Sequence, residues 1–153
     1  MKIATFNING IKARIGALTD WLDEAQPDVA LLQEIKSVDE AFPREAIEAL
    51  GYHVETHGQK GFNGVALFSK VPLEDVQRRL PGDDTDEQAR FISALVPVGD
   101  KMIRVASLYL PNGNPVETEK FPYKLNWMKR LHNWAKSHLA AEDDFILAGD
   151  YNV

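Results

Sequence analysis

The chain is organised around Phe145-Ile146-Leu147-Ala148-Gly149-Asp150-Tyr151-Asn152-Val153, where four apolar residues lead into a glycine, an aspartate and an asparagine. Two earlier segments have the same pattern, Ile3-Ala4-Thr5-Phe6-Asn7 and Val29-Ala30-Leu31-Leu32-Gln33-Glu34. Short apolar runs of this kind are typical of strands that are buried on both faces. If the three strands lie side by side and point the same way, their polar ends meet at one rim. The residues predicted to gather there are Asn7, Glu34, Asp150 and Asn152.

Composition places the chain among single-domain globular proteins, because it has 153 residues, of which 44% are hydrophobic and 26% charged. The apolar runs are far shorter than a bilayer span, and the N-terminus lacks the apolar region of a signal peptide. We therefore expect no membrane association. The absence of cysteine excludes disulfides, thiolate metal sites and a cysteine nucleophile. It also favours a reducing compartment, and the cytoplasm is the expected location.

The net charge of −6, from 17 basic and 23 acidic residues, argues on average against a nucleic-acid partner. Part of the excess comes from one acidic segment, residues 83–87, which we interpret as a surface loop. A bound divalent cation would also reverse the local sign of charge at a carboxylate site. The net charge therefore lowers the expectation of a nucleic-acid partner but does not exclude one.

Helices and strands alternate in a way that predicts an α/β fold. Apolar residues between Ile11 and Ala25 recur every three or four positions, which predicts a helix between the first two strands. A second helix is predicted at about residues 44–50, and a third from near Glu117 or Pro122 to about Ala141. Residues 90–96 and 103–110 flank Gly99-Asp100 and predict an antiparallel hairpin.

The segment from His57 to Gly64 contains three glycines in seven residues, which predicts a loop whose backbone can approach another group closely. A plain hairpin loop is one interpretation. The other is a phosphate-contacting loop, because Lys60 lies at its tip.

The residues at the predicted rim suit phosphoryl chemistry. A carboxylate at the end of a buried strand is costly unless it is paired, hydrogen-bonded or metal-bound, which applies to Glu34 and Asp150. Oxygen ligands of this kind are those preferred by Mg²⁺ and Mn²⁺. The amides of Asn7 and Asn152 can steady a charged oxygen, and Tyr109 near another strand end can donate to a phosphate. Each residue taken alone also fits an exposed or packing role.

Several segments together carry a resemblance to a known family. They are residues 2–10, Leu32-Gln33-Glu34-Ile35-Lys36, the His-Gly-Gln-Lys-Gly loop with residues 64–67, and Leu147-Ala148-Gly149-Asp150-Tyr151-Asn152. In this order they resemble the exonuclease III type of apurinic/apyrimidinic endonuclease, within the endonuclease/exonuclease/phosphatase superfamily. The Gln-Glu and Gly-Asp-x-Asn motifs indicate only the superfamily. The lysine-containing loop, Pro81-Gly82-Asp83-Asp84 and Lys120-Phe121-Pro122 point to the DNA-repair branch.

The resemblance implies a four-layer α/β sandwich with mixed, mostly antiparallel sheets and outer helices. It implies a Mg²⁺-dependent phosphodiesterase that cuts double-stranded DNA 5′ to abasic sites and acts on 3′ ends. By this likeness the metal is held by Glu34 with help from Asn7, and Mn²⁺ is an alternative metal. The implied catalytic residues are Tyr109 at the phosphate, Asp150 for proton transfer and Asn152 for transition-state charge. The implied DNA-backbone contacts are Lys60 and Arg90.

One departure from the family pattern shapes a further expectation. Family members contain a second half with a Ser-Asp-His segment whose histidine activates the attacking water, and no position here matches it. We therefore expect residues 1–153 to be the N-terminal half of the domain, with the missing C-terminal half as its partner. We expect little or no activity from this chain alone. We also expect one sheet with an exposed apolar inner face, which would promote self-association.

Two other functions remain open from the sequence. One is a superfamily phosphatase that acts on an inositol phosphate or sphingolipid, which the lysine-containing loop disfavours. The other is a non-catalytic module that binds DNA or metal.

Overall fold

The computed structural model describes all residues from Met1 to Val153 and contains three α-helices and eight β-strands. In chain order these are β1 (Ile3–Asn7), α1 (Ile11–Ala25), β2 (Val29–Gln33), α2 (Arg44–Glu48), β3 (His53–His57), β4 (Val65–Ser69), β5 (Glu74–Arg78), β6 (Phe91–Val98), β7 (Lys101–Tyr109), α3 (Lys120–Ala140) and β8 (Phe145–Asp150). A single 3₁₀ turn, Asp39–Ala41, precedes α2. No helix is both long enough and apolar enough to span a bilayer.

The strands form two four-stranded sheets. The first sheet has the order β1-β2-β4-β3 and the second has the order β5-β6-β7-β8. The pairs β1·β2 and β7·β8 are parallel, and the other four pairs are antiparallel. The predicted α/β class with mixed, mostly antiparallel sheets is therefore confirmed.

Three apolar clusters divide the molecule into four layers, helix, sheet, sheet and helix. One cluster packs α1 and α2 on the outer face of the first sheet, and another packs α3 on the outer face of the second. The third lies between the sheets and includes Leu31, Leu67 and Val105, all fully buried. Strands β2 and β4 are apolar at every position but their ends because both faces are covered.

The expectation of an exposed apolar inner face is wrong. It assumed that the chain supplies one sheet, whereas the chain contributes both sheets and they cover each other's inner faces. What remains open is the free long edge of β1 in one sheet and of β8 in the other, and the residues of both strands are mostly half-buried. These two edges lie together on one side of the sandwich, because β1 and β8 are in contact.

The three apolar segments that define the predicted rim do not share one sheet. Strands β1 and β2 pair in parallel in the first sheet, but β8 pairs with β7 in the second. The strand ends still converge, because the sheets are stacked with β1 and β8 in contact.

Strand β5 was not predicted, since only one of its five residues is apolar and all but that one are exposed.

Residues 83–87, interpreted as a surface loop, are only partly exposed. The side chain of Asp86 is 6% exposed, because it pairs with the buried Arg130 of α3. A carboxylate with such a partner can be buried at acceptable cost. Since the partner lies 44 positions away along the chain, local sequence could not reveal it.

The inter-sheet core predicts a specific sensitivity to cavity formation. Leu31→Ala should lower the free energy of unfolding by about 2–5 kcal/mol, because Leu31 is fully buried between the sheets. Leu139→Ala on α3 should change it by less than about 0.5 kcal/mol, because Leu139 is 66% exposed. Urea unfolding followed by circular dichroism measures both, and equal losses would contradict the assigned core.

Candidate active site

The rim forms where β1, β2 and β8 end. Asn7 and Asp150 are the last residues of their strands, and Glu34 directly follows β2. Glu34 has a left-handed backbone, with φ at 52°, and its side chain is 23% exposed. A residue other than glycine in this conformation is uncommon, and such residues cluster at functional sites. The structure thus places three of the predicted rim residues at one end of the sandwich.

The amide of Asn7 joins the two carboxylates. Its Nδ2 lies 2.5 Å from Glu34 Oε2 and 3.1 Å from Asp150 Oδ2, while its Oδ1 accepts a hydrogen bond from the Asn9 backbone at 3.0 Å. Two carboxylates this close repel each other, and the N–H donors between them offset part of that repulsion. Three residues from three separate strands therefore form one polar cluster.

Gly149 allows β8 to place Asp150 in this cluster. A Cβ atom at position 149 would lie 2.0 Å from the backbone oxygen of Leu108 on β7, which no side chain can accommodate. The register then sets Asp150 opposite Tyr109 at the end of β7. Close packing against β7 thus explains why the Gly-Asp motif has a glycine at this position.

Tyr109 presents a protonated hydroxyl to the carboxylates. Burial, with the charge of Glu34 as the next cause, raises the pKa of Tyr109 to about 12. At neutral pH the phenol is therefore a hydrogen-bond donor at the rim.

Two cations stand beside the cluster. Lys36 Nζ lies 3.8 Å from Glu34 Oε1 and 2.7 Å from Asn9 Oδ1. The Arg90 guanidinium lies 4.8 Å from the centre of the Tyr109 ring and donates to the Tyr109 backbone oxygen at 3.1 Å. Arg90 was predicted as a DNA-backbone contact, whereas Lys36 was not predicted to have a role. The Glu-Ile-Lys spacing was its only signal in the sequence.

Asn152 lies near the rim but its side chain turns away from the carboxylates. The strand ends at Asp150, and Asn152 has a left-handed backbone with φ at 49°. Its backbone N–H donates to Asp150 Oδ1 at 3.0 Å, while its Nδ2 donates to the Leu110 backbone oxygen at 2.7 Å. One of the two amide protons of Asn152 therefore remains available to a ligand.

Lys60 is not part of the cluster. It is exposed at the tip of the glycine-containing loop and forms no hydrogen bond or ion pair. The base of the loop is well anchored, because Gly58 N–H donates to Asp39 Oδ1 at 2.9 Å. The Gln59 Oε1 also accepts from Ala89 N–H at 2.7 Å, next to Arg90. The loop thus has a fixed base and an exposed, positively charged tip.

A buried polar pair beneath the site was missed. Gln33, 1% exposed, donates to Ser107 Oγ on β7 at 3.1 Å and to Thr5 Oγ1 on β1 at 3.0 Å. Ser107 Oγ in turn donates to the Leu32 backbone oxygen at 2.9 Å. These bonds tie both sheets together one residue before Glu34. A glutamine in an otherwise apolar buried strand was the available signal.

The donor set fits a hard divalent cation that keeps most of its water. Mg²⁺ is commonly bound through one or two carboxylates, and Glu34 and Asp150 offer two. Asn7 presents its nitrogen to the carboxylates and orients them in this structure. Its part in holding the metal or its water stays a prediction. The chain contains no cluster of three or more histidine, cysteine or acidic side chains arranged to hold a metal.

A cleft of about 390 Å³ opens beside Tyr109 and is the space next to the rim that a substrate could enter. Its walls come from the loop before β6, the turn after β7 and the start of α3. The residues that line it include Phe62, Arg90, Tyr109, Asn112, Lys120 and Tyr123.

The structure is a four-layer α/β sandwich that carries a cluster of carboxylates and amides at one rim. The family model for the Endonuclease/Exonuclease/phosphatase family matches residues 4–153, and the chain belongs to this family. The resemblance drawn from the sequence is therefore confirmed at this level.

Three similar proteins show which members of this family the chain resembles. Exodeoxyribonuclease III of Haemophilus influenzae is 40% identical over 154 residues, which cover all of this chain and 58% of that protein. The structure is similar to an AP endonuclease from Archaeoglobus fulgidus, with TM-score 0.89 and 37% identity, and the match covers this whole chain and 58% of that one. It is also similar to a Neisseria 3′ phosphatase bound to a product DNA hairpin, with TM-score 0.93, 33% identity and the same coverage. The chain therefore spans less than two thirds of the relatives it matches.

The bridging role of Asn7 predicts a pH-dependent loss of stability in Asn7→Asp. A third carboxylate repels Glu34 and Asp150 when all three are ionised, and protonation relieves this repulsion. Stability should therefore fall as the pH rises through the range in which carboxylates ionise. We expect Asn7→Asp to lose about 1–3 kcal/mol more at pH 8 than at pH 5.

Asn7→Ala is the matched control, because it removes the same donors without adding charge. Urea unfolding at both pH values measures the difference. If the free energy of unfolding had the same pH dependence in both variants, the carboxylates of Glu34 and Asp150 would not interact through residue 7.

Proposed function

We propose that this chain carries the metal-binding and phosphate-contacting residues of a Mg²⁺-dependent phosphodiesterase that acts on DNA. The activities proposed are cleavage 5′ to abasic sites, 3′-to-5′ exonuclease action and removal of 3′-blocking groups. The observation that supports this most is the Asn7–Glu34–Asp150 cluster, with Tyr109 paired opposite Asp150 at the end of the neighbouring strand. The names of the relatives support the substrate class. The cytoplasm stays a prediction from composition.

Each rim residue has a proposed role. Glu34, oriented by Asn7, holds Mg²⁺, with Mn²⁺ as an alternative, and the bound ion supplies Lewis-acid stabilisation of phosphoryl charge. The Tyr109 phenol donates a hydrogen bond to the scissile phosphate. Asp150 assists proton transfer to the leaving oxygen, and the free amide proton of Asn152 stabilises transition-state charge.

Two cations are proposed to contact the DNA backbone. Arg90 lies in the wall of the cleft beside Tyr109, where a phosphate next to the reacting one would sit. Lys60, at the exposed tip of its loop, would contact the duplex farther from the rim. Local positive charge of this kind is what phosphate contact requires even in a chain with net charge −6.

We further propose that residues 1–153 act as the N-terminal half of the family's domain. The two halves would meet at the free edges of β1 and β8, where backbone groups are open to strand pairing. An apolar groove of about 510 Å³ lies along β1 and continues this surface onto α1, at Ala17 and Trp21. The base that activates the attacking water is proposed to come from the second half, so the chain alone should show little or no activity.

A chimera tests the proposed function. This chain would replace the matched part of Haemophilus influenzae exodeoxyribonuclease III, and cleavage of a duplex with one abasic site would be followed with Mg²⁺ or a chelator. We expect Mg²⁺-dependent cleavage by the chimera, and a loss of at least about 100-fold in Glu34→Gln and in Asp150→Asn. The exposed change Lys136→Ala is the control and should retain activity.

Failure of a folded chimera to cleave, while it still bound DNA, would favour a non-catalytic DNA-binding module. Hydrolysis of small phosphate monoesters but not of DNA would favour a superfamily phosphatase. Cleavage by the unfused chain with Mg²⁺ would refute the expected need for a second half.

The open edges predict weak self-association of the chain, through β1 and its groove rather than through an inner sheet face. Ala17→Lys should reduce association, because it places a charge in the apolar groove. Ala140→Lys, at the exposed end of α3, is the matched control. Sedimentation velocity over a concentration series measures both, and a monomer at every concentration for the unaltered chain would contradict the prediction.

A further inference from the structure

The loop before β6 contains a buried carboxylate that the proposed chemistry does not use. Asp86 Oδ2 accepts hydrogen bonds from the Tyr123 hydroxyl and from Arg130 Nη1, each at 2.8 Å. Arg130 also donates to the backbone oxygens of Leu80, at 2.5 Å, and Pro81, at 3.2 Å. The carboxylate is therefore locked between its own loop and α3, and it holds the Tyr123 hydroxyl in one direction.

The ring of Tyr123 reaches the proposed substrate-contacting residues through Arg90. The Arg90 Cζ atom lies 5.8 Å from the centre of the Tyr123 ring and 4.8 Å from the centre of the Tyr109 ring. A guanidinium within about 6 Å of an aromatic ring is attracted to it. Arg90 Nε donates to Gln88 Oε1 at 2.7 Å, two residues after Asp86. Both the loop and the ring therefore constrain Arg90.

These contacts form one continuous path from Asp86 to the rim. Asp86 fixes Tyr123, Tyr123 contacts Arg90, and Arg90 contacts Tyr109. Tyr109 in turn lies opposite Asp150 in the pairing of β7 with β8. Arg90, Tyr109 and Tyr123 all line the cleft beside the rim. An ion pair with Arg130 alone would have satisfied the charge of Asp86, so the Tyr123 contact adds orientation.

We propose that Asp86 and Tyr123 are positioning residues, which orient the Arg90 guanidinium and, through it, Tyr109 toward a phosphate of the substrate. This inference rests on the proposed function for its biological meaning. The orientation of Arg90 itself is a property of the chain without DNA. The two can therefore be tested separately.

The first measurement is the NMR signal of the Arg90 Nε proton in the chain without DNA. Tyr123→Phe removes only the hydroxyl that Asp86 holds, and should shift this signal and speed its exchange with water. Tyr52→Phe is the matched control, because it removes another buried tyrosine hydrogen bond, to the Pro27 backbone oxygen at 2.7 Å, far from the cleft. An Arg90 signal unchanged in Tyr123→Phe would overturn the proposal.

The second measurement is the affinity for a fluorescent DNA duplex in a double-mutant cycle. Tyr123→Phe should weaken binding about fivefold, as expected for the loss of one hydrogen bond. In an Arg90→Gln background it should have no further effect, because Tyr123 acts through Arg90. Asp86→Asn keeps an acceptor for Tyr123 and should show a smaller effect in the same direction. Equal weakening in both backgrounds would mean that Tyr123 acts only on general stability, which overturns the proposal.

The two measurements separate the inference from the proposed function. If the unaltered chain does not bind DNA, the proposed DNA contact by this chain fails. The NMR comparison of Tyr123→Phe with Tyr52→Phe then still decides whether Asp86 and Tyr123 position Arg90.

Discussion

The face-to-face packing of the two sheets is the constraint on which the site depends. The residues that would react come from both sheets, with Asn7 and Glu34 at strand ends of the first and Tyr109 and Asp150 at strand ends of the second. The apolar layer between the sheets sets their separation, and the Gln33–Ser107 hydrogen bond ties them together just below the carboxylates. A buried polar contact of this kind specifies a relative position that apolar packing alone leaves looser. The rim therefore forms only because the two sheets pack face to face.

The carboxylates of Glu34 and Asp150 lie close together at the rim, and hydrogen-bond donors from neighbouring strands hold them in place. Asn7 inserts its N–H₂ group between two carboxylates, and burial together with the negative charge of Glu34 raises the pKa of Tyr109, so its phenol stays protonated. The arrangement is preorganised for a cation and a phosphate, since the same donors and acceptors would serve both. The proposed DNA site is in this way compatible with an acidic chain.

The cationic residues around the site differ in how firmly they are held. Arg90 contacts two aromatic rings and two hydrogen-bond acceptors, whereas Lys60 stands free at a loop tip. A fixed guanidinium loses little conformational entropy when it meets a phosphate, while a free lysine contributes mainly long-range attraction. These differences agree with the proposed roles, in which Arg90 contacts a phosphate near the reacting one and Lys60 contacts the duplex farther from the rim.

The residues alone were enough to place most elements and three of the rim residues. Apolar runs such as Val29–Gln33 and the helical period of Ile11–Ala25 are local signals. Polar side chains at the ends of three buried strands indicated a site only when taken together, because each alone also fits an exposed role. The resemblance across four separated motifs identified the family on the same local information. Asp86, β5 and the partner of β8 were not readable in this way.

Each of those features depends on contacts between positions far apart in sequence. Asp86 is buried because Arg130 of α3 reaches it. Strand β8 joins β7 in the second sheet, although the edge of β1 in the first sheet is also free. The direction of the Asn152 amide likewise follows from a hydrogen bond to Leu110, 42 positions earlier. Local pattern thus specified which side chains could do chemistry. Only long-range packing decided which of these side chains come into contact, because strand partners and buried ion pairs depend on contacts between distant parts of the chain.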